Sequence, residues 1–243
     1  TFDATAYATN PRARMRPIHR PPRVPTDRHP HCHWVVEIDP ETTPLEEPEA
    51  TRRMATTRAA AVVIPELPAD GTGGRTDYAG GLQPDLRLEE FSHATLVTIA
   101  QEACLQGHLL VLSFLATITE RFGASAATEI GRKQLTGVGT VVATRLQRAL
   151  GLGGSLADIA TVLELHPAFH PRAYIDWHVD AGDRLLLRLD ACDALHEEIA
   201  PSWPALLVED SSPLDAIVQA VNPCARTTPA PASKAGAAWE GGL

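Results

Sequence analysis

The sequence predicts an α+β fold: a helical bundle packed on a small antiparallel sheet, with a long proline-rich N-terminal arm. Three observations predict it. Residues 91–150 carry two long helical patterns bounded by cap residues, "AYIDWHVDAGDRLLLRLDAC" alternates as a hairpin, and twelve of the twenty prolines fall in the first 90 of 243 residues. Proline fixes φ and has no N–H to donate, so "RPIHRPPRVP" and "IDPETTPLEEPE" support neither a helix nor a central strand. "HWVVEI" is the one clear strand of the arm, and "ADGTGGRTDYAGGLQP" (69–84) reads as a flexible loop. Segments of this composition bury too little surface to order themselves. Residues 1–90 are therefore expected to take their shape from a protein partner or from other copies of the chain in a homo-oligomer.

From Phe91 the pattern changes. One long helix is expected with Ser92 as N-cap and Gly123 at its end. It is apolar on nearly all sides between Ala103 and Ile118, which places it at the centre of a bundle or in an oligomer interface. A second helix, 124–150, stops at "LGLGG". Gly131, Gly137 and Gly139 each cost about 1 kcal/mol against alanine inside it. They mark either close helix packing or a place where a ligand meets backbone. "SLADIATVLEL" is a short helix with Ser155 and Asp158 as a capping-box variant. In the hairpin, Ile175, Trp177 and Val179 share one face, "DAGD" supplies the turn, and Leu185, Leu187 and Leu189 continue the apolar face. A helix at about 193–200 follows, and another begins with Ser212 as N-cap and Pro213 in its first turn.

The two ends of the chain echo each other. "TFDATAYATNPRARMRP" (1–17) aligns without a gap on "PLDAIVQAVNPCARTTP" (213–229), sharing a contiguous Asn-Pro-x-Ala-Arg. Residues 1–39 then read as the closing helix and strand of a truncated first repeat, 40–90 as a linker, and 91–243 as a second repeat with a flexible tail after 226. The first strand would join the hairpin of this chain or a sheet in another. The absence of an initial methionine fits a processed chain or a piece of a longer one.

Net charge is -9, with residues 1–30 at +4 and residues 31–90 at -7. An acidic chain of this kind offers no general basic face for phosphates, which argues against nucleic acid as a partner. Cys32, Cys104, Cys192 and Cys224 are widely spaced, as reduced thiols of a cytoplasmic protein would be. The longest apolar run, "LLVLSFLATI" (109–118), falls short of the roughly 20 residues of a membrane span, and none is expected.

Several side-chain clusters are candidates for chemistry. In "HPHCHWVVEI" a strand places His31 and His33 on one face, with Glu37 further along. That pattern can chelate a metal, but zinc needs three or four ligands; the alternative is a strand edge with solvent-facing histidines. In "HPAFHPRAYIDWH", His170, Asp176 and His178 could act with Cys192 as catalytic groups, since imidazole beside a carboxylate suits acid–base work. His166, His170 and His178 could instead hold a metal, zinc or iron being the candidates for such a donor set. His108 lies one helical turn from Cys104, the spacing of a thiolate–imidazole pair. With Gly137 and Gly139, His108 also marks a candidate ligand site. "TGVGT" follows no strand and is not a phosphate loop.

Two helices joined by Glu120-Arg121-Phe122-Gly123 with Ala126 and Ala127, an antiparallel hairpin, a helix, and a strand entered through Cys32 and Trp34 form a recognisable order. It resembles the helical-bundle-plus-sheet domains of the 2-aminothiazoline-carboxylate hydrolase family and the related 4-vinyl-reductase-type ligand-binding domains. The resemblance covers residues 91–224 and 28–39. It implies binding of small, often apolar molecules, with hydrolysis in some members. Of the paired cysteines that many relatives carry before the last helix, only Cys192 is present. The reading favoured is a small-molecule-binding or assembly subunit of a larger cytoplasmic complex, non-catalytic. Its rival is a hydrolase or metalloenzyme using the cluster at 166–178.

Overall fold

Short local signals set most of the helix ends. In the computed structural model, which describes Tyr7 and residues 10–68, 71, 73–77, 83, 85–230 and 236–243, the chain divides into two units, Thr1–Thr56 and Thr57–Leu243. The first unit holds β1 (Ala13–His19), β2 (His33–Ile38) and α1 (Glu49–Ala55). The second holds α2 (Arg58–Ala61), α3 (His93–Phe122), α4 (Ala124–Leu150), α5 (Leu156–Leu165), β3 (Trp177–Ala181), β4 (Leu185–Asp190), α6 (Trp203–Glu209), α7 (Ser212–Val221), β5 (Thr228–Ala230) and β6 (Ala237–Gly242). The fold is α+β, with two small antiparallel sheets of order β1-β2 and β3-β4-β6-β5.

Most caps follow the residues that predict them; α7 differs, its N-cap being Ser211 with no side-chain cap bond, and the expected cap Ser212 is its first residue. Ser92 Oγ accepts from Thr95 N at 3.3 Å at the start of α3. Gly123 divides α3 from α4 at φ +90°, and Gly151 closes α4 at φ +64°, both in a region that side chains disfavour. Ser155 and Asp158 form a reciprocal capping box. In the hairpin Leu185, Leu187 and Leu189 are fully buried while Leu186 faces solvent.

The centre of the bundle is α4, not the more apolar α3. Helix α4 touches α3, α5, α6 and α7, and its buried stripe is Ala127, Gly131, Leu135, Gly139 and Ala143. A Cβ on Gly131 would sit 2.7 Å from Leu206 Cδ1, and one on Gly139 would sit 2.7 Å from Ile217 Cδ1. These two glycines therefore serve close packing, as small residues do where helices cross tightly. Gly137 is exposed and has no such neighbour among the described residues. Helix α3 lends only one side to the core and leaves Leu110 59% and Phe114 43% exposed. It is long and apolar enough by composition to cross a bilayer, with 33% of its most apolar window buried.

Four expectations are corrected. β2 pairs with β1, through Ala13↔Ile38, Met15↔Val36 and Pro17↔Trp34, and not with the hairpin. A two-stranded ribbon has only edge strands, so Pro17 can sit in it, beside a register shift before His19. The linker contains α1 and α2. The tail after 226 is not loose: β6 pairs with β4 on one side and β5 on the other. The helix expected at 193–200 is a single 3-10 turn, Asp193–His196, and the helix begins at Trp203 behind the Ser202 cap. The helix expected within residues 1–9 and much of the 69–84 loop lie outside the described residues.

The echo recurs in the hydrogen bonds. Asn10 Oδ1 accepts from Arg12 N at 2.8 Å, and Asn222 Oδ1 accepts from Cys224 N at 2.9 Å. Ala13 N donates to Asn10 O, and Ala225 N donates to Asn222 O, each at 2.9 Å. Arg14 and Arg226 each turn back onto two carbonyls of their own turn, Pro11 and Ala13 in one, Pro223 and Ala225 in the other. Each turn then feeds a strand paired antiparallel with the strand that follows it.

Candidate functional site

The histidines of the second cluster sit where α5 ends and the chain turns into the sheet. His166 is the C-cap of α5, and Pro167 opens a 3-10 turn to Phe169. There His166 Nε2 donates to Gly139 O at 3.1 Å, and its Nδ1 accepts from Ala168 N at 3.1 Å. His108 Nε2 donates to His170 O at 2.9 Å, and His170 Nε2 donates to Glu164 O at 2.6 Å. A carbonyl only accepts, so all three rings carry the Nε2 proton. Burial lowers His108 and His166 to about 4, against the opposing pull of their backbone partners. His108 packs edge-on against Tyr174 and Trp203, with ring centroids 5.4 and 5.7 Å away. These histidines join α3, α4 and α5 to the His166–Ile175 connection.

An aromatic column extends this junction into the sheet. Phe169 stacks on Trp177 at 4.3 Å, and Trp177 on Trp239 at 6.3 Å. Trp239, half-buried on β6, is a member of this column that the sequence reading left in the tail.

The structure does not gather His166, His170 and His178 into one ligand set. Among the described residues, the group of three whose donor atoms lie within 4.8 Å of one another is Asp176, His178 and Asp190, where the hairpin opens to solvent. His178 Nε2 lies 2.8 Å from Asp176 Oδ1 and 3.3 Å from Asp190 Oδ2. Arg188 Nε donates to both Asp190 oxygens, at 3.0 and 3.2 Å. Asp190 thus already has a permanently charged partner in Arg188, and the His178 ring bridges the two carboxylates. In the arm, His31, His33 and Glu37 are exposed. His33 pairs across the ribbon with His19, and His29 lies edge-on to His31. No three donors there meet the same distance among the described residues.

Neither cysteine candidate is activated. Burial raises the Cys104 thiol while it lowers His108, the reverse of what a thiolate–imidazolium pair requires. Cys192 caps the 3-10 turn 193–196; burial raises its thiol, and the N–H groups of Asp176, Leu195 and Ala194 offset that in part. It borders a shallow groove of about 380 Å³ with Arg172, Tyr174, Asp193 and His196. The organiser beside that groove is Glu197, which sequence reasoning missed. Its carboxylate accepts from Tyr174 Oη at 2.9 Å, from Ala59 N at 2.8 Å and from Arg58 N at 3.2 Å. Burial and this carboxylate both raise Tyr174, which keeps its proton. Of the proposed ligand site, Gly139 and His108 are packed and hydrogen-bonded inside the bundle, and Gly137 faces outward.

Comparison with family models, curated proteins and solved structures returns no match for this chain.

Proposed function

We propose that this chain is a non-catalytic assembly subunit of a larger cytoplasmic complex, and that it associates with a second copy through the outer face of α3. The observation that carries the reading is a seam on that helix. Leu96, Ala100, Ala103, Gly107, Leu110, Phe114 and Thr117 recur at alternating spacings of four and three, and none is buried. Ile99, Gln106 and Ser113 border them, so ten residues of one helix face carry no charge. This is the spacing at which one helix seats another. The face is also self-complementary: in an antiparallel pair Phe114 falls opposite Ala103, Leu110 opposite Gly107, and Thr117 opposite Ala100. In the two central layers a large side chain meets a small one, as a two-fold interface requires, and the outermost layer sets Leu96 against Arg121.

A lipid surface fits this face less well. Glycine, alanine, glutamine and serine make a poor acyl-chain contact, and a chain of net charge -9 is repelled by anionic headgroups. The seam is about 32 Å long at helical rise. A single helix pair buries less than a standard interface, so the affinity expected is on the order of micromolar. Four free thiols suit the reducing compartment proposed. The test is mass in solution: a dimer for the unmodified chain and a monomer for Leu110→Glu supports the reading. A monomer in both, or partition onto lipid vesicles in place of dimerisation, rejects it.

A further inference from the structure

The ribbon β1–β2 matches the ribbon β5–β6 that closes the sheet of the second unit. Each follows the same Asn-Pro-x-Ala-Arg turn with the same hydrogen bonds. Pro17 and Pro229, which have no N–H to give, hold matched places in the two entering strands, opposite Trp34 and Gly241. That match sets β2 on β6: Cys32 on Trp239, His33 on Glu240, Trp34 on Gly241, Val35 on Gly242 and Val36 on Leu243.

The two ribbons fill the inner face in compensating ways. In β6 the Trp239 ring folds over Gly241, so that a Cβ on Gly241 would overlap the ring. In β2 the glycine position holds Trp34 and the tryptophan position holds Cys32. Each ribbon thus carries one indole on the matched face, at positions two residues apart, and in β6 that indole, Trp239, stacks on Trp177. Val35 and Val36 are also better strand formers than Gly242, where a side chain is lacking and backbone entropy is highest. Val36 and Ile38, on the apolar side of β1–β2, are each 54% exposed. The outer edge of β2 has no strand beside it among the described residues. The matched edge of β6 is taken by β4, with Leu187↔Gly241 and Leu186↔Gly242.

We propose that residues 10–38 are an exchangeable closing ribbon: in an assembly, β2 of one copy takes the β4 edge of a second copy in place of that copy's β6. The register follows from the match, with Trp34 opposite Leu187, Val35 opposite Leu186 and Val36 opposite Leu185. Hydrogen bonds of the β4–β6 ladder are exchanged for those of a β4–β2 ladder, and the displaced β5–β6 ribbon is released. This surface is separate from the α3 seam and does not depend on it.

The experiment uses full-length chains in the Leu110→Glu background, so that α3 association plays no part in the result. A Val35→Cys chain is mixed with a Leu186→Cys chain and oxidised. Both positions lie on the outer face of the proposed ladder, where Leu186 is 55% exposed. The expected result is a covalent heterodimer several-fold above that of a Val35→Cys chain mixed with an out-of-register Arg184→Cys chain. Adding Trp34→Ala to the first chain brings the yield down to the control. Equal yields in register and out of register, or a yield that Trp34→Ala leaves unchanged, overturns the proposal.

Discussion

At the scale of single residues, α4 holds two glycines that look alike in sequence and are opposite in space. Gly139 lies against Ile217 and passes its carbonyl to His166. Gly139→Ala forces that packing apart at a cost of about 1–3 kcal/mol, more than the helix propensity it regains. Gly137→Ala meets open space and should stabilise by about 0.5–1 kcal/mol. Melting curves of the two variants should therefore move in opposite directions from the unmodified chain; equal shifts would contradict the packing. The buried imidazoles set a pH dependence. His108 and His166 are held neutral down to about 4, while unfolded histidine titrates near 6.5. Above that unfolded value neither state binds the proton and their contribution to stability is complete. As pH falls from 6.5 towards 4 the unfolded chain takes up protons that the folded chain refuses, so stability is lost across that window. The measured midpoint temperature should decline there and less steeply below it, and a flat profile from 7 to 4 would contradict the account. Around His178, the carboxylates of Asp176 and Asp190 are already paired. Elemental analysis should return no stoichiometric zinc or iron. One metal per chain, lost in Asp190→Asn, would restore the metalloenzyme reading.

At the scale of elements, the sequence was most legible where the signal is local. Ser92, Gly123, Gly151 and the Ser155–Asp158 pair bound α3, α4 and α5 because a cap is a contact within a few residues. The hairpin was legible because alternation survives when one face is buried. The strands β1, β5 and β6 were hidden because their sequences argue against strand: Pro17 and Pro229 lack a donor, and Gly241 and Gly242 lack a side chain. β1 and β5 form because the strand that follows each pairs with it, and β6 because β4, distant in sequence, takes its other edge. Helix α6 has seven residues, too few to show a period. The candidate histidines were legible as residues but not as roles. The carbonyl that binds His108 is 62 positions away and the one that binds His166 is 27 away. Of the two places expected for α3, the centre of the bundle is the one that α4 takes instead, for a related reason. Apolar composition does not say which face meets the chain's own core, whereas the small-residue stripe of α4 marks the central helix.

At the scale of the whole molecule, the account holds that this chain is built to associate. Its buried histidines, His108 and His166, serve its own fold, and in the function proposed above its outward α3 face receives an identical one. The most direct measurement is sedimentation equilibrium across a concentration series, from well below to well above micromolar, for the unmodified chain and for Leu110→Glu. The account predicts a reversible monomer–dimer equilibrium for the first and a monomer throughout for the second. A chain that stays monomeric at the highest concentration, or a dimer indifferent to Leu110→Glu, would contradict it.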